Sequence, residues 1–170
     1  MRALVRHYLP DLVFGANDGI ITTFAVVSGV VGASLTNRII LILGFANLVA
    51  DGVSMGASNY LARRSEADAV EDPARRLVAR NGLATFAGFV TAGVIPLTAY
   101  LVPLPDDARY AVAIGLTLSS LFLVGASRAF VRDRGFLRSG LEMLLVGSVA
   151  AALAYVVGAL AAELTGGQTL

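Results

Sequence analysis

The chain has 170 residues, 56% of them hydrophobic and 15% charged, with a net charge of +1. Soluble globular chains run at about 45–50% apolar and about 25% charged, so a water-soluble domain and a disordered chain are both excluded. Cysteine and lysine are absent and histidine occurs once, which removes disulfides, thiolate metal sites, lysine-dependent phosphate loops and every catalytic or zinc motif that needs a histidine pair.

Five apolar spans stand out, at 12–35, 39–61, 82–102, 110–127 and 140–162, and they hold only three charged residues, Asp18, Asp51 and Glu142. A helix that crosses a bilayer needs about 20 mostly apolar residues. Barrel strands are about 10 residues long and alternate strictly, which these spans do not. Backbone in lipid must satisfy its own hydrogen bonds. The expected fold is all-α integral membrane, with five transmembrane helices in a single transmembrane domain over 1–170.

In chain order, residues 1–11 form a short basic lead-in ending at Pro10-Asp11. No small-residue cleavage site follows, so span 12–35 is expected to remain as the first helix. A tight turn at Thr36-Asn37-Arg38 makes helices one and two an antiparallel pair. Helix two runs into a connection at 62–81 with nine charges in 20 residues, and Pro73 is expected to end any helical extension there. Pro96 inside the third span predicts a kink. An external turn, VPLPDD, leads to helix four, and a basic loop, VRDRGFLR, joins helices four and five.

The N-terminus, the 62–81 connection and the 128–139 loop carry 11 of the 13 arginines; Arg38 and Arg109 are the other two. Excess basic charge marks the cytoplasmic side, so the N-terminus is expected in the cytoplasm and the C-terminus outside. These arginines adjoin membrane ends, so no nucleic-acid partner is expected. Gly15 and Gly19, Gly52 and Gly56, and Gly147 with Ala151 are four apart, a spacing that lets membrane helices approach closely, within the chain or between two copies.

An acid near the bilayer centre opposes insertion by about 2.5–3.5 kcal/mol and is a functional candidate by default. Asp18 and Asp51 qualify. Glu142 follows Arg138 by four residues and reads as an interfacial ion pair. His7 reads as an interfacial residue. Glu66, Asp68, Glu71 and Asp72 are interleaved with arginines and read as a solvated face. On helix two, Asn47, Asp51, Met55 and Asn59 are successive i, i+4 positions on one face, with Ser54 and Ser58 alongside. On helix one, Asp11, Gly15, Asp18 and Thr22 share a face, with Asn17 beside it. Facing each other, the two stripes would line a path of oxygen ligands with one sulfur. Oxygen ligands suit Mg, Ca or Mn; the thioether moves the preference toward first-row transition metals such as Fe(II). A carboxylate in a low dielectric can also exchange protons near neutral pH, so the same acids could serve antiport.

The segments DLVFGANDGIITTFAVVSGVVGA (11–33) and LILGFANLVADGVSMGASNYLARRSE (41–66) resemble the vacuolar iron transporter family. Pro96-Leu97 and GLEMLLVGSVAAALAYVVG (140–158) are also similar. The resemblance implies a five-helix homodimer that moves Fe(II), and often Mn(II), out of the cytosol against protons. Asp11 and Asp18 match the family's paired helix-one aspartates, and Asp51 and Met55 its acidic and methionine positions on helix two. Asn59 stands where family members commonly have Glu. The 62–81 connection is too short for the family's cytoplasmic Glu- and Met-rich domain, as in a short prokaryotic-type member, which implies a bacterial or archaeal cell membrane.

The reading that results is a divalent metal transporter rather than an enzyme, with the metal as cargo and no resident cofactor. Asp18, Asp51 and Met55 are the expected metal-path residues, Asp11 an acceptor on the cytoplasmic side, and Asn47 and Asn59 secondary oxygen ligands. The main competing reading is a structural or regulatory membrane subunit whose polar stripes serve helix association; metal-dependent stabilisation discriminates the two. A proton or monovalent-cation channel is a third, marked by uncoupled current.

Overall fold

The computed structural model describes residues 2–69, 78–130 and 135–166. Its helices are α1 (Arg2–Gly32), α2 (Asn37–Ala69), α3 (Val78–Gly93), α4 (Ile95–Leu101), α5 (Asp106–Ser127) and α6 (Phe136–Leu164), with one 3-10 turn at Arg128–Phe130. There is no strand among the described residues. With α3 and α4 taken as one span, five helical segments are long and apolar enough to cross a membrane. The all-α, five-span membrane fold is the one expected.

Several helices run past their apolar spans. α1 starts at Arg2 and passes through Pro10 without ending. A proline at this point deletes one backbone bond, and Pro10 is exposed near the helix start, outside the apolar span, where solvent can serve the freed carbonyl. α2 continues to Ala69. Its extension is supported locally: Arg64 pairs with Asp68 at 3.8 Å and donates to the Tyr60 hydroxyl at 2.9 Å. The two side-chain pairs each stabilise an exposed helix by about 0.2–0.5 kcal/mol; the Ser65 hydroxyl's bond back to the Leu61 carbonyl at 3.0 Å adds no such support. Pro73, the expected stop, lies outside the described residues, as do Glu71, Asp72, Arg75, Arg76, Arg132 and Arg134.

The α1–α2 turn lies at 33–36, slightly earlier than expected. Ser34 takes a left-handed φ of 55°. The Leu35 amide then reaches back to the Val30 carbonyl at 3.1 Å and the Ser34 amide to Val31 at 3.0 Å, which satisfies the last carbonyls of α1. Asn37 donates to Asp106 at 3.1 Å, and Arg109 pairs with the same carboxylate at 3.0 Å, so the turns at this end are tied together. At Pro96 the third span breaks rather than kinks. α3 ends at Gly93, Val94 caps α4, and the proline occupies the first turn of α4, where its missing N–H is not needed.

α1 is the central helix, packed most extensively on α3 and α6. The interior is a continuous apolar cluster that includes Phe24, Val27, Leu48, Phe89, Leu97 and Ala113, with Ile20, Ala92 and Leu121 forming a second. Outward positions on α2 and α6, such as Val49, Val53, Leu145 and Val157, carry large exposed aliphatic side chains, a surface that lipid tails accept. The small-residue faces are used inside the chain. A Cβ at Gly15 would meet the Thr85 carbonyl, and one at Gly52 the rings and methyls of Phe86 and Val90. Gly147 packs on Leu121, and Ala151 belongs to the core.

Candidate functional site

The deepest polar cluster lies where the arginine-rich end of α2 meets α1 and α3. Asp11 on α1 is 4% exposed. Its Oδ1 accepts hydrogen bonds from Asn59 Nδ2 at 2.9 Å and Arg63 Nη2 at 2.7 Å, and its Oδ2 accepts one from Asn81 Nδ2 at 2.6 Å. Asn59 also donates to the Thr85 hydroxyl and accepts from Arg63 Nε at 3.1 Å. Thr85 in turn donates to the Asn81 carbonyl at 3.2 Å. Every oxygen of the buried carboxylate is thus served, and its charge is matched by one guanidinium. Three helices are joined by this network.

A cavity of about 530 Å³ opens beside it, lined by Asp11, Ser54, Met55, Ser58, Asn59 and Arg63. A second cavity of about 440 Å³ holds Asn17 and Asp18 with Arg128 and Met143. Pro10 and Phe14 border both. The structure therefore gathers Asp11, Met55 and Asn59 at one cavity and places Asp18 at another. Sequence periodicity pointed to one continuous path, but two residues of α1 on the same broad face can still open onto different neighbours.

Asp18 and Asp51 are both half-buried and close enough for their charges to interact. Among the described residues neither forms a salt bridge. Arg128 lines the Asp18 cavity, but its Nη1 lies against the Met143 thioether at 3.5 Å. Asn17 Oδ1 and Asn47 Nδ2 are buried without a hydrogen-bond partner; Asn17 adjoins Asp18, and Asn47 lies one helical turn before Asp51. No group of three or more His, Cys, Asp or Glu residues converges among the described residues. Beside one or two carboxylates, the donors these helices offer a cation are amide oxygens, hydroxyls and thioethers, such as those of Asn59, Ser58 and Met55.

Glu142 pairs with Arg138 at 3.3 Å, and His7 is exposed with its ring edge-on to Tyr8. The residues that periodicity missed are Arg63, Asn81, Thr85, Arg128 and Met143. One signal could have found Arg63: it is the next i+4 step after Asn47, Asp51, Met55 and Asn59. Asn81 and Thr85 are likewise an i, i+4 polar pair at the start of an apolar span.

Asn81→Ala is expected to destabilise the bundle by about 1–3 kcal/mol, the cost of leaving a buried acceptor short of a donor. Thermal unfolding in detergent measures it, and an unchanged midpoint would mean that the 2.6 Å contact contributes nothing.

Residues 9–80 and 72–159 match the profile of the VIT family. The two segments overlap at 72–80, which runs into the first residues of α3. A vacuolar iron transporter of Toxoplasma gondii is 45% identical over 69 residues, covering 41% of this chain and 23% of that protein. One from Plasmodium berghei is 44% identical over 66 residues, covering 39% of this chain and 24% of that protein. The chain thus matches about a quarter of the length of these two relatives. Vacuolar iron transporter 1 of Arabidopsis thaliana is 24% identical over 207 aligned positions, covering 85% of this chain and 82% of its own length. That alignment is longer than the 170-residue chain itself, so the plant protein carries extra residues inside the matched region.

Proposed function

The chain belongs to the VIT family, and from that premise we propose that this multi-pass membrane protein is a transporter of divalent metal ions and not an enzyme. The cargo is Fe(II), Mn(II) or both, carried out of the cytosol in exchange for protons. The observation that carries the reading is the pair Asp18 and Asp51: two acids in membrane-spanning helices, within reach of each other's charge, with no salt bridge among the described residues. Partial burial and a neighbouring like charge both disfavour two ionised acids, so a bound cation, or a proton on one of them, relieves the pair. Alternating between the two is what metal–proton exchange requires.

In this reading Asp18 and Asp51 are the primary ligands. Asn47, beside Asp51 on the α2 stripe, supplies an amide oxygen when its buried amide is turned. Met55 supplies a thioether from the neighbouring cavity, and Asn59 and Asp11 complete the arginine-rich end. The distribution of arginines supports a cytosolic position for that end, and the short 62–81 connection supports a bacterial or archaeal cell membrane. A homodimer is part of the proposal. The three small-residue faces are occupied within the chain, whereas Ser54 and Ser58 are exposed on α2 at the mouth of the cavity beside Asp11, with Val53 and Leu61 exposed on the same helix, a face that a second copy would cover.

Proteoliposomes assayed with Fe(II), Mn(II), Co(II) and Zn(II) at several proton gradients test the proposal. The expected result is Fe(II) or Mn(II) flux that rises with an opposing proton gradient. Absence of flux for every metal at every gradient would overturn it.

A further inference from the structure

Asp11 is the most deeply buried acid of the described residues, yet it already holds a cation. Arg63 reaches it from α2 with a forked contact: Nη2 donates to Asp11 Oδ1 at 2.7 Å while Nε donates to Asn59 Oδ1 at 3.1 Å. Those two oxygens, one carboxylate and one amide on different helices, are the pair that a hard divalent cation would bridge. The guanidinium therefore sits where such a cation would sit. The two partners are not equally fixed. The Asp11 side chain is 5% exposed, whereas that of Arg63 is 37% exposed. Arg63 also lines the cavity beside Met55 and Ser58, so its head can swing into the opening on its flexible stem. Asp11 cannot leave, because Asn81 on α3 holds its other oxygen at 2.6 Å.

We propose that Arg63 is a tethered counter-ion that occupies Asp11 in the cation-free protein and must swing out before a divalent cation can bridge Asp11 and Asn59. A buried carboxylate stripped of its partner is strongly destabilising. The exchange avoids that state, because one positive group enters as the other leaves. Arg63 is thus a positioning residue that sets the apparent affinity of this end of the path. A competent state populated only part of the time lowers apparent affinity in proportion. The proposal rests on the reading that divalent metal passes through this bundle.

The test is Mn(II) binding to the full chain in detergent, read from the electron paramagnetic resonance signal of free Mn(II), with Fe(II) flux in vesicles as a parallel readout. Arg63→Gln is expected to bind Mn(II) about tenfold tighter or more, within the usual range of coupling between competing events. Its metal-free melting temperature falls, and Mn(II) restores it. Arg63→Lys keeps a positive group but cannot make the forked contact, so its gain in Mn(II) affinity is expected to be smaller than that of Arg63→Gln. Adding Asp11→Asn to Arg63→Gln abolishes the gain. A merely structural ion pair predicts the opposite: Arg63→Gln would lose stability without gaining affinity. If vesicles carry Fe(II) and Arg63→Gln binds Mn(II) no tighter than wild type, the counter-ion is overturned and transport stands. A gain that survives Asp11→Asn overturns it equally. If wild type neither binds Mn(II) nor carries Fe(II), both fall together.

Discussion

Asp18→Ala is expected to reduce metal flux in proteoliposomes at least as severely as the loss of an outer-shell partner in a metal site, which costs about 10–100-fold. The expectation follows from what Asp18 lacks. Asp11 is matched by Arg63 and Glu142 by Arg138, so both have a structural reason to exist. Asp18 has Asp51 as its charged neighbour on α2, an arrangement that costs stability unless a cation or proton is present. Removing one acid relieves repulsion, so the variant should fold at least as well as wild type, and lost flux cannot then be ascribed to lost protein. Asp18→Asn should behave like Asp18→Ala, because it keeps the shape and removes the charge. Glu142→Gln is the matched control. It removes a membrane-span acid from a pair whose Arg138 partner is 79% exposed, and flux should be unchanged. If Asp18→Ala carries Fe(II) as fast as wild type, the assignment of the cargo site is wrong.

The contrast between Asp11 and Asp18 also marks how far the sequence could be read. Hydropathy and length locate all five spans, because lipid imposes a length and a composition that few other environments do. Helix ends are less legible. α2 continues to Ala69 with the support of Arg64–Asp68 and Arg64–Tyr60 side-chain pairs, which no apolar pattern reports. The polar face of α2 is legible as an i, i+4 series, but the series continues to Arg63, where an arginine next to a membrane end also reads as a topology signal. Asn81 and Thr85 are legible as an i, i+4 polar pair, but they become site residues only because α3 packs against α1, a tertiary fact that the pair itself does not report. The same packing decides which neighbours each α1 residue meets. Asp11 and Asp18 are two turns apart on one face, yet Asp11 meets α2 and α3 while Asp18 opens onto the cavity with Met143 of α6.

Gly19→Leu is expected to cost the folded bundle more than any polar substitution. A Cβ at Gly19 would fall on the backbone carbonyl of Phe89, with the Phe89 Cα at 2.9 Å, and the helices are also close one turn on, because a Cβ at Gly93 would lie 2.8 Å from the Gly19 carbonyl oxygen. These are backbone atoms of a helix, so no rotamer change can clear the space. Phe89 is fully buried and α3 is held to α1 by the Asn81–Asp11 bond, so α3 cannot slide away without breaking the polar network. Overpacking a core by a few methylenes costs about 1–3 kcal/mol when side chains can adjust. Here the helices themselves must part, which separates Asp11 from Asn81 and exposes the apolar α1–α3 seam. The expected outcome is loss of a monodisperse peak on size exclusion in detergent, with vesicles that carry no metal. Gly115→Ala on α5 is the control, since a Cβ there meets nothing within 4 Å. It should be neutral or slightly stabilising, because alanine is favoured over glycine within a helix by about 0.5–1 kcal/mol. A Gly19→Leu protein that elutes and melts like Gly115→Ala would mean that α1 and α3 are not in backbone contact at this level, and the network that surrounds Asp11 would lose its physical basis.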